Sequence, residues 1–287
     1  MPVGTASPGA RGGHPRWRPA RVFVCIPFLL LAACVNDRQE RVLGSQIAAE
    51  VNARIPLVRD PVTHRYVNAL GRVLASKSER PELGYHFYVI DSEAVNAFAL
   101  PGGHIYVNRG LIERTENISE LSAILAHEIG HVASRHGARM LERRLRTGSV
   151  VSILYDLILG AEPQILEQSS LQMGRALWTA SHSREAELEA DERAVEYLIQ
   201  AGVDPRGMIT LLTGLLLEEQ ASGPRPSLEW FATHPMTRNR IALTRDEIGD
   251  ELPESTGRLA TDIPSFRGFL ARIRSLPPPP HSLQPIP

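Results

Sequence analysis

Residues 121–132 read LSAILAHEIGHV. Apart from His127, Glu128 and His131, almost every side chain here is apolar around the full circumference of a helix. A helix apolar on all sides is a buried one. Two imidazoles and a carboxylate in such a helix need partners, because an unpaired buried charge is costly. His127 and His131 are four residues apart, which puts them on one helix face with Cβ atoms roughly 5–6 Å apart. That separation lets both rings meet one tetrahedral zinc ion. Glu128 is rotated about 100° from His127. It lies beside such an ion rather than on it, where a carboxylate can take a proton from water. Two core histidines bonded to backbone carbonyls, with Glu128 reaching solvent, are the plainer alternative. Gly130 costs a helix about 1 kcal/mol relative to alanine; either close backbone packing or simple tolerance accounts for it.

A catalytic zinc site takes a third protein ligand and keeps a fourth position open. The helical stretch ending near Gln200 offers one. With Glu187 set at zero, Asp191 falls at about 40°, Ala194 at about 340°, Val195 at about 80° and Leu198 at about 20°. Glu185, Glu189, Glu192 and Glu196 fall between about 140° and 200°, on the polar face. Glu187 and Asp191 thus sit within the apolar stripe and are expected to be buried. Glu187 as third ligand, with Asp191 accepting a ligand histidine's N–H, satisfies both charges. Pairing with Arg184, near the same face, is the competing arrangement.

The chain has 287 residues, 43% hydrophobic and 22% charged, which suffices for one sizeable core and excludes a disulfide miniprotein, a collagen-like chain or a fully disordered one. A formal net charge of −1 gives no electrostatic case for nucleic acid. Cys25 and Cys34 are the only cysteines, so the chain after them has no disulfide, cysteine-ligated metal or cysteine nucleophile. Residues 1–21 carry Arg11, Arg16, Arg18 and Arg21 and no acid, and an apolar run follows from Val22 to Ala33. This is the layout of a secretory signal, too short for a spanning helix. It ends in Leu31-Ala32-Ala33-Cys34, which resembles a bacterial lipobox and implies a lipidated Cys34; a plain signal peptide with a chance cysteine is the alternative. Val35, rather than aspartate, after that cysteine resembles the outer-membrane destination of enteric-type sorting. Ser149–Gly160 (SVVSILYDLILG) is also too short to span and reads as a packed helix.

The remaining pattern predicts an α+β, mainly helical protein with a small sheet. Residues 35–57 and Pro61–Ser76 read as helices, and Tyr85–Ile90, Asn96–Leu100 and His104–Asn108 as extended segments. Pro101-Gly102-Gly103 marks a turn between the last two. Asn96–Leu100 is expected at the sheet edge beside the histidine-bearing helix, where an extended peptide could pair with it; an interior hairpin strand is the alternative. Long helical regions cover Ser119–Arg146, about Ile165–Gln200, and Pro205–Gln220. The domain reading is a leader over 1–33, one domain over 34–247, and a Pro-rich, largely disordered tail over 248–287 with a short helix at Phe266–Ile273. His14, His64, His86, His104, His136, His182 and His281 have no paired spacing and are left as surface or core residues, with His104, by its place beside the strand, the expected exception.

His127-Glu128-x-x-His131 followed by Glu187-x-x-x-Asp191 resembles a gluzincin metallopeptidase. Residues 96–107 (NAFALPGGHIYV), 183–191 (SREAELEAD) and Thr233-His234-Pro235 narrow it. These phrases are similar to the HtpX and CaaX-prenyl-protease type I family, metallopeptidase family forty-eight, in its soluble periplasmic lipoprotein branch. The resemblance covers about residues 40–247 and implies a zincin-like fold and peptide-bond hydrolysis. It implies one Zn2+ held by His127, His131 and Glu187, Glu128 as the base, and Asp191 behind a ligand histidine. His234 is the expected oxyanion donor, or in some relatives a cap on the metal; a plain loop histidine is the third possibility. Arg240 could orient substrate or pair with an acid. Asn96, Ala97, Phe98 and Ala99 are expected to bind substrate. The implied function is a metalloendopeptidase of envelope quality control, lipid-anchored and facing the periplasm, with protein or peptide substrates. A zinc-containing chaperone or assembly factor without turnover is the alternative.

Overall fold

The computed structural model describes residues 36–146, 182–221, 230, 233–235, 238–252 and 259–279. The leader, Cys34 and Ser149–Gly160 lie outside the described residues. Helix starts follow local chemistry. Asn36 caps α1 (Asp37–Arg54) in a reciprocal box with Gln39. Asp60 caps α2 (Pro61–Ala75), with proline in its first turn. The sheet order is β1 (His86–Ile90), β3 (His104–Asn108), β2 (Ala97–Leu100). β1 runs parallel to β3, and β2 is antiparallel to it, with Ala97 opposite Val107 and Leu100 opposite His104. The turn Pro101-Gly102-Gly103 joins β2 to β3 as expected, with φ of 80° and 89° at the two glycines, a region that favours glycine.

The central strand β3 is buried throughout. Its residues alternate between two apolar clusters, as a two-residue period requires. Tyr106 joins Phe98, Leu100 and the α1 residues Leu43, Ile47 and Val51. Ile105 and Val107 join Phe87 and Val89 with the helical residues Leu121, Ile124 and Leu125. A short helix, α3 (Arg109–Ile112), leads into α4 (Ile118–Ala133), which Asn117 caps. Residues Ile118 through Val132 of α4 are all buried, as the apolar circumference predicts.

The single helix expected over Ser119–Arg146 is instead two. α4 ends at Ala133, Arg135 takes the left-handed conformation with φ 57°, and α5 (His136–Arg146) begins at the next residue. The cause is tertiary: the Arg135 guanidinium sits 3.2 Å from the buried carboxylate of Glu40 on α1. Of the helical region expected over about Ile165–Gln200, residues 165–181 lie outside the described residues, and the helix carrying Glu187 begins at Arg184. Ser183 is extended and caps α6 (Arg184–Gln200) by accepting from the Ala186 N–H. Gly202, at φ 74°, follows the end of α6, and α7 (Arg206–Ala221) follows. α8 (Arg238–Glu251) runs past residue 247. The tail expected to be poor in core residues contributes α9 (Pro264–Arg274), whose Phe266, Phe269, Leu270 and Ile273 are buried in the main core. Among the described residues no helix is long and apolar enough to cross a membrane.

Candidate metal centre

α4 and α6 pack against each other, and Gly130 lies at that contact. A Cβ there would lie 2.9 Å from the Ala190 carbonyl oxygen and 3.1 Å from its Cα. Close packing, rather than tolerance, explains this glycine. Ala190 stands between Glu187 and Asp191, so the contact brings both acids against the histidine face of α4. The helical-wheel reading holds: Glu187 and Asp191 are buried, Glu185 and Glu192 exposed, Glu189 and Glu196 half-buried.

His131 Nε2 lies 3.0 Å from His127 Nε2. Glu187 Oε1 lies 3.3 Å from His131 Nε2, and its Oε2 lies 3.6 Å from His127 Nε2. His234 Nδ1 completes the group, 3.3 Å from His127 Nε2 and 3.1 Å from Glu187 Oε1. One donor atom from each of these four buried residues lies within 4.8 Å of the others. Ligands about 2.0 Å from a tetrahedral zinc stand roughly 3.3 Å apart, so these spacings suit one ion, and the donor set of imidazole nitrogens and a carboxylate is one zinc takes. The burial of these groups argues the same way, since such polar atoms need either partners or a metal.

Around this group, His127 donates its Nδ1–H to Asp191 Oδ1 at 2.9 Å, the contact expected behind a ligand histidine. The counter-ion is Arg240, not Arg184. It bonds both Asp191 oxygens, and its Nη1 lies 2.5 Å from Glu187 Oε2. Burial pushes the Glu187 carboxyl up, but the nearby His234, His127 and His131 outweigh it and hold the group well below the usual carboxylate range. Glu128 differs: burial dominates and raises its pKa. Its side chain is 1% exposed, and among the described residues its Oε1 accepts no hydrogen bond, with His234 Nε2 the near group at 3.5 Å.

β2 is an edge of the described sheet and packs on α4. Just before it, Val95 O accepts the Trp230 N–H at 2.9 Å, and the Trp230 ring stacks on His234 at 4.2 Å. This places the strand's leading end beside the metal group. Ala97 and Phe98 are buried and Ala99 is half-buried. Asn96 is buried, with neither side-chain polar atom bonded among the described residues.

Two site residues escaped the sequence reading. His136 Nδ1 lies 2.8 Å from His131 Nδ1, and the His182 ring stacks on His131 at 4.0 Å. A continuous helix would turn His136 away from His131; the break at Arg135 returns it. His104, the expected exception, is not in the metal group. It packs between His86 and Tyr88 on the sheet.

A helical domain with a small mixed sheet, two histidines one turn apart, a glutamate from a second helix and a further buried carboxylate beside them define a zincin-type metallopeptidase site. Residues 61–248 match Peptidase family M48, and the chain belongs to that family. It is 31% identical over 220 residues to the beta-barrel assembly-enhancing protease of Escherichia coli (strain K12), covering 75% of this chain and 45% of that protein. With metalloprotease LoiP of the same organism it shares 29% over 224 residues, 76% of this chain and 83% of that one. The mitochondrial metalloendopeptidase OMA1 of Schizosaccharomyces pombe is 30% identical over 210 residues, 73% of this chain and 59% of that one. The chain spans less than half the length of the beta-barrel assembly-enhancing proteases it matches.

Proposed function

We propose that this chain is a zinc metalloendopeptidase that cleaves proteins of the bacterial envelope, with His127, His131 and Glu187 holding the metal. The observation that carries this is Glu128: a buried carboxylate with an unbonded oxygen, one residue along the helix from a ligand histidine. Bound zinc would supply Lewis acidity towards the scissile carbonyl and towards water. Glu128 takes a proton at Oε1 from the attacking water and returns it to the leaving amine, and its raised pKa brings it nearer the operating pH of a base. Asp191 fixes His127 through its Nδ1–H, and Arg240 holds Asp191 and Glu187 in place. Residues Asn96 to Ala99 offer backbone to an extended substrate, which suits unfolded segments. Glu128→Gln should reduce casein cleavage by at least about 100-fold while zinc content stays at that of the wild type; surviving cleavage rejects the assigned base.

The position of His234 favours a second reading of that residue. Its Nδ1 lies among the ligand atoms rather than out where an oxyanion would form. As a fourth ligand it would hold the site closed, and His234→Ala would raise cleavage in the same assay. A fall in cleavage would favour the oxyanion role.

The leader and the relatives support a localisation in the envelope. The sequence Leu31-Ala32-Ala33-Cys34 supports a lipid anchor at Cys34, and Val35 supports the outer membrane. The beta-barrel assembly-enhancing proteases support an envelope setting and protein substrates. Cys34→Ala should move the protein from the membrane to the soluble fraction; unchanged fractionation rejects the anchor.

A further inference from the structure

We propose that His136, backed by Glu189, is a positioning residue that fixes the tautomer of His131 and so presents its Nε2 to the metal. The inference rests on the metal reading above and concerns residues that reading leaves without a role.

The two histidines of the α4 motif turn the same atom, Nε2, towards Glu187 and towards each other. A neutral imidazole that ligates through Nε2 carries its proton on Nδ1, and that proton needs an acceptor. For His127 the acceptor is Asp191. For His131, among the described residues, no carboxylate is recorded against Nδ1; the atom that meets it is His136 Nδ1, at 2.8 Å.

Two facing nitrogens can share only one proton, so the direction of this bond matters. If His136 donated, a neutral His131 would carry its proton on Nε2 and could not ligate there. The far side of His136 decides against that. Its Nε2 lies 3.2 Å from Glu189 Oε2, an oxygen that can only accept. His136 therefore carries its proton on Nε2, leaving the Nδ1 lone pair to accept from His131. The demand of the metal at one end and of the carboxylate at the other impose the same polarity. Glu189 also lies 3.7 Å from Arg139, which helps hold it in place.

The fold supplies this arrangement at a local cost. Arg135, immediately before His136, is the only non-glycine residue at positive φ among the described residues, and such backbone is strained. The ion pair to buried Glu40 holds it there. Glu189, on the polar side of α6, was legible only as a solvated acid.

The test uses the full chain and two readouts besides cleavage. Zinc affinity is measured by competition with a chromophoric chelator. His136→Leu keeps bulk and removes the acceptor, and should weaken zinc binding by about 10–100-fold. His136→Asn places Oδ1 where Nδ1 was and should retain most of the affinity. Equal losses in the two variants, or none in His136→Leu, would overturn the proposal in favour of packing. Independently, 15N-histidine NMR of the zinc-loaded wild type should show His131 protonated at Nδ1 and His136 at Nε2. A proton on His136 Nδ1 overturns the relay even where His136→Leu fails to fold. A wild type that binds no zinc overturns the metal reading and the relay together, whereas zinc bound with the wrong tautomers overturns the relay alone.

Discussion

His104 is 6% exposed, with Nδ1 3.3 Å from the Tyr88 hydroxyl and its ring 5.1 Å from that of His86. Burial first, and the His86 charge second, push its pKa from 6.5 down to about 4. The folded protein keeps this ring neutral where the unfolded chain would take a proton. Its contribution is therefore whole above about pH 6.5, falls as pH drops, and is fully lost near pH 4, a swing of up to about 3 kcal/mol. His104→Gln should remove that share of the acid sensitivity. Urea unfolding at pH 7 and pH 4.5 checks this, and an unchanged difference between the two pH values would refute it. At this scale the sequence reveals burial better than partnership. The apolar neighbours of Glu187 and Asp191, spaced around one helix, show that both acids are inside. Nothing local shows that Arg240, about fifty residues on, is the cation that meets them, or that His136 meets His131. Those pairings depend on how separate segments pack.

Between elements, the contact of α4 with α6 is set at Gly130. Alanine there would gain about 1 kcal/mol of helix propensity. Its methyl, however, would press on the Ala190 backbone at 2.9 Å. Backbone has no rotamer to move, so α6 must shift, and overpacking of this kind costs about 1–3 kcal/mol. The clash wins. Gly130→Ala is expected to lose about 1 kcal/mol of stability on balance and to bind zinc more weakly, because Glu187 moves with α6. Chemical denaturation and chelator competition measure the two effects, and a stabilised variant with intact zinc affinity would refute the packing account. Helix starts were legible because caps are local: Asn36, Asp60 and Asn117 each accept a backbone N–H from within the next turn. The break between α4 and α5 was not, because Arg135 is an ordinary helix former held in an unusual conformation by Glu40, far away in sequence.

Across the whole molecule, the chain from residue 259 onward laces distant parts together. The Thr261 carbonyl accepts the Ser119 N–H at the start of α4, and Ala260 exchanges backbone bonds with the Gly202–Asp204 link after α6. Phe269 stacks on Tyr66 of α2 at 4.2 Å, and Arg272 lies 2.6 Å from the capping carboxylate of Asp60. Arg109 holds the Leu276 carbonyl at 3.1 Å. The apolar spacing of Phe266, Phe269, Leu270 and Ile273 announces a helix, but eleven residues are too few to be stable alone. Their place in the core is fixed by surfaces the rest of the chain presents. This segment therefore should behave as part of the catalytic domain. Phe266→Ala, at a fully buried site, is expected to cost about 3–5 kcal/mol, a large part of the stability of a typical domain. Truncation before residue 259 should lower the melting temperature further and weaken zinc binding, because the lost bonds anchor the two helices that carry His127, His131 and Glu187. Calorimetry with and without a chelator separates these effects. A truncated chain that melts and binds zinc like the full one would mean that the last helix merely rests on the core.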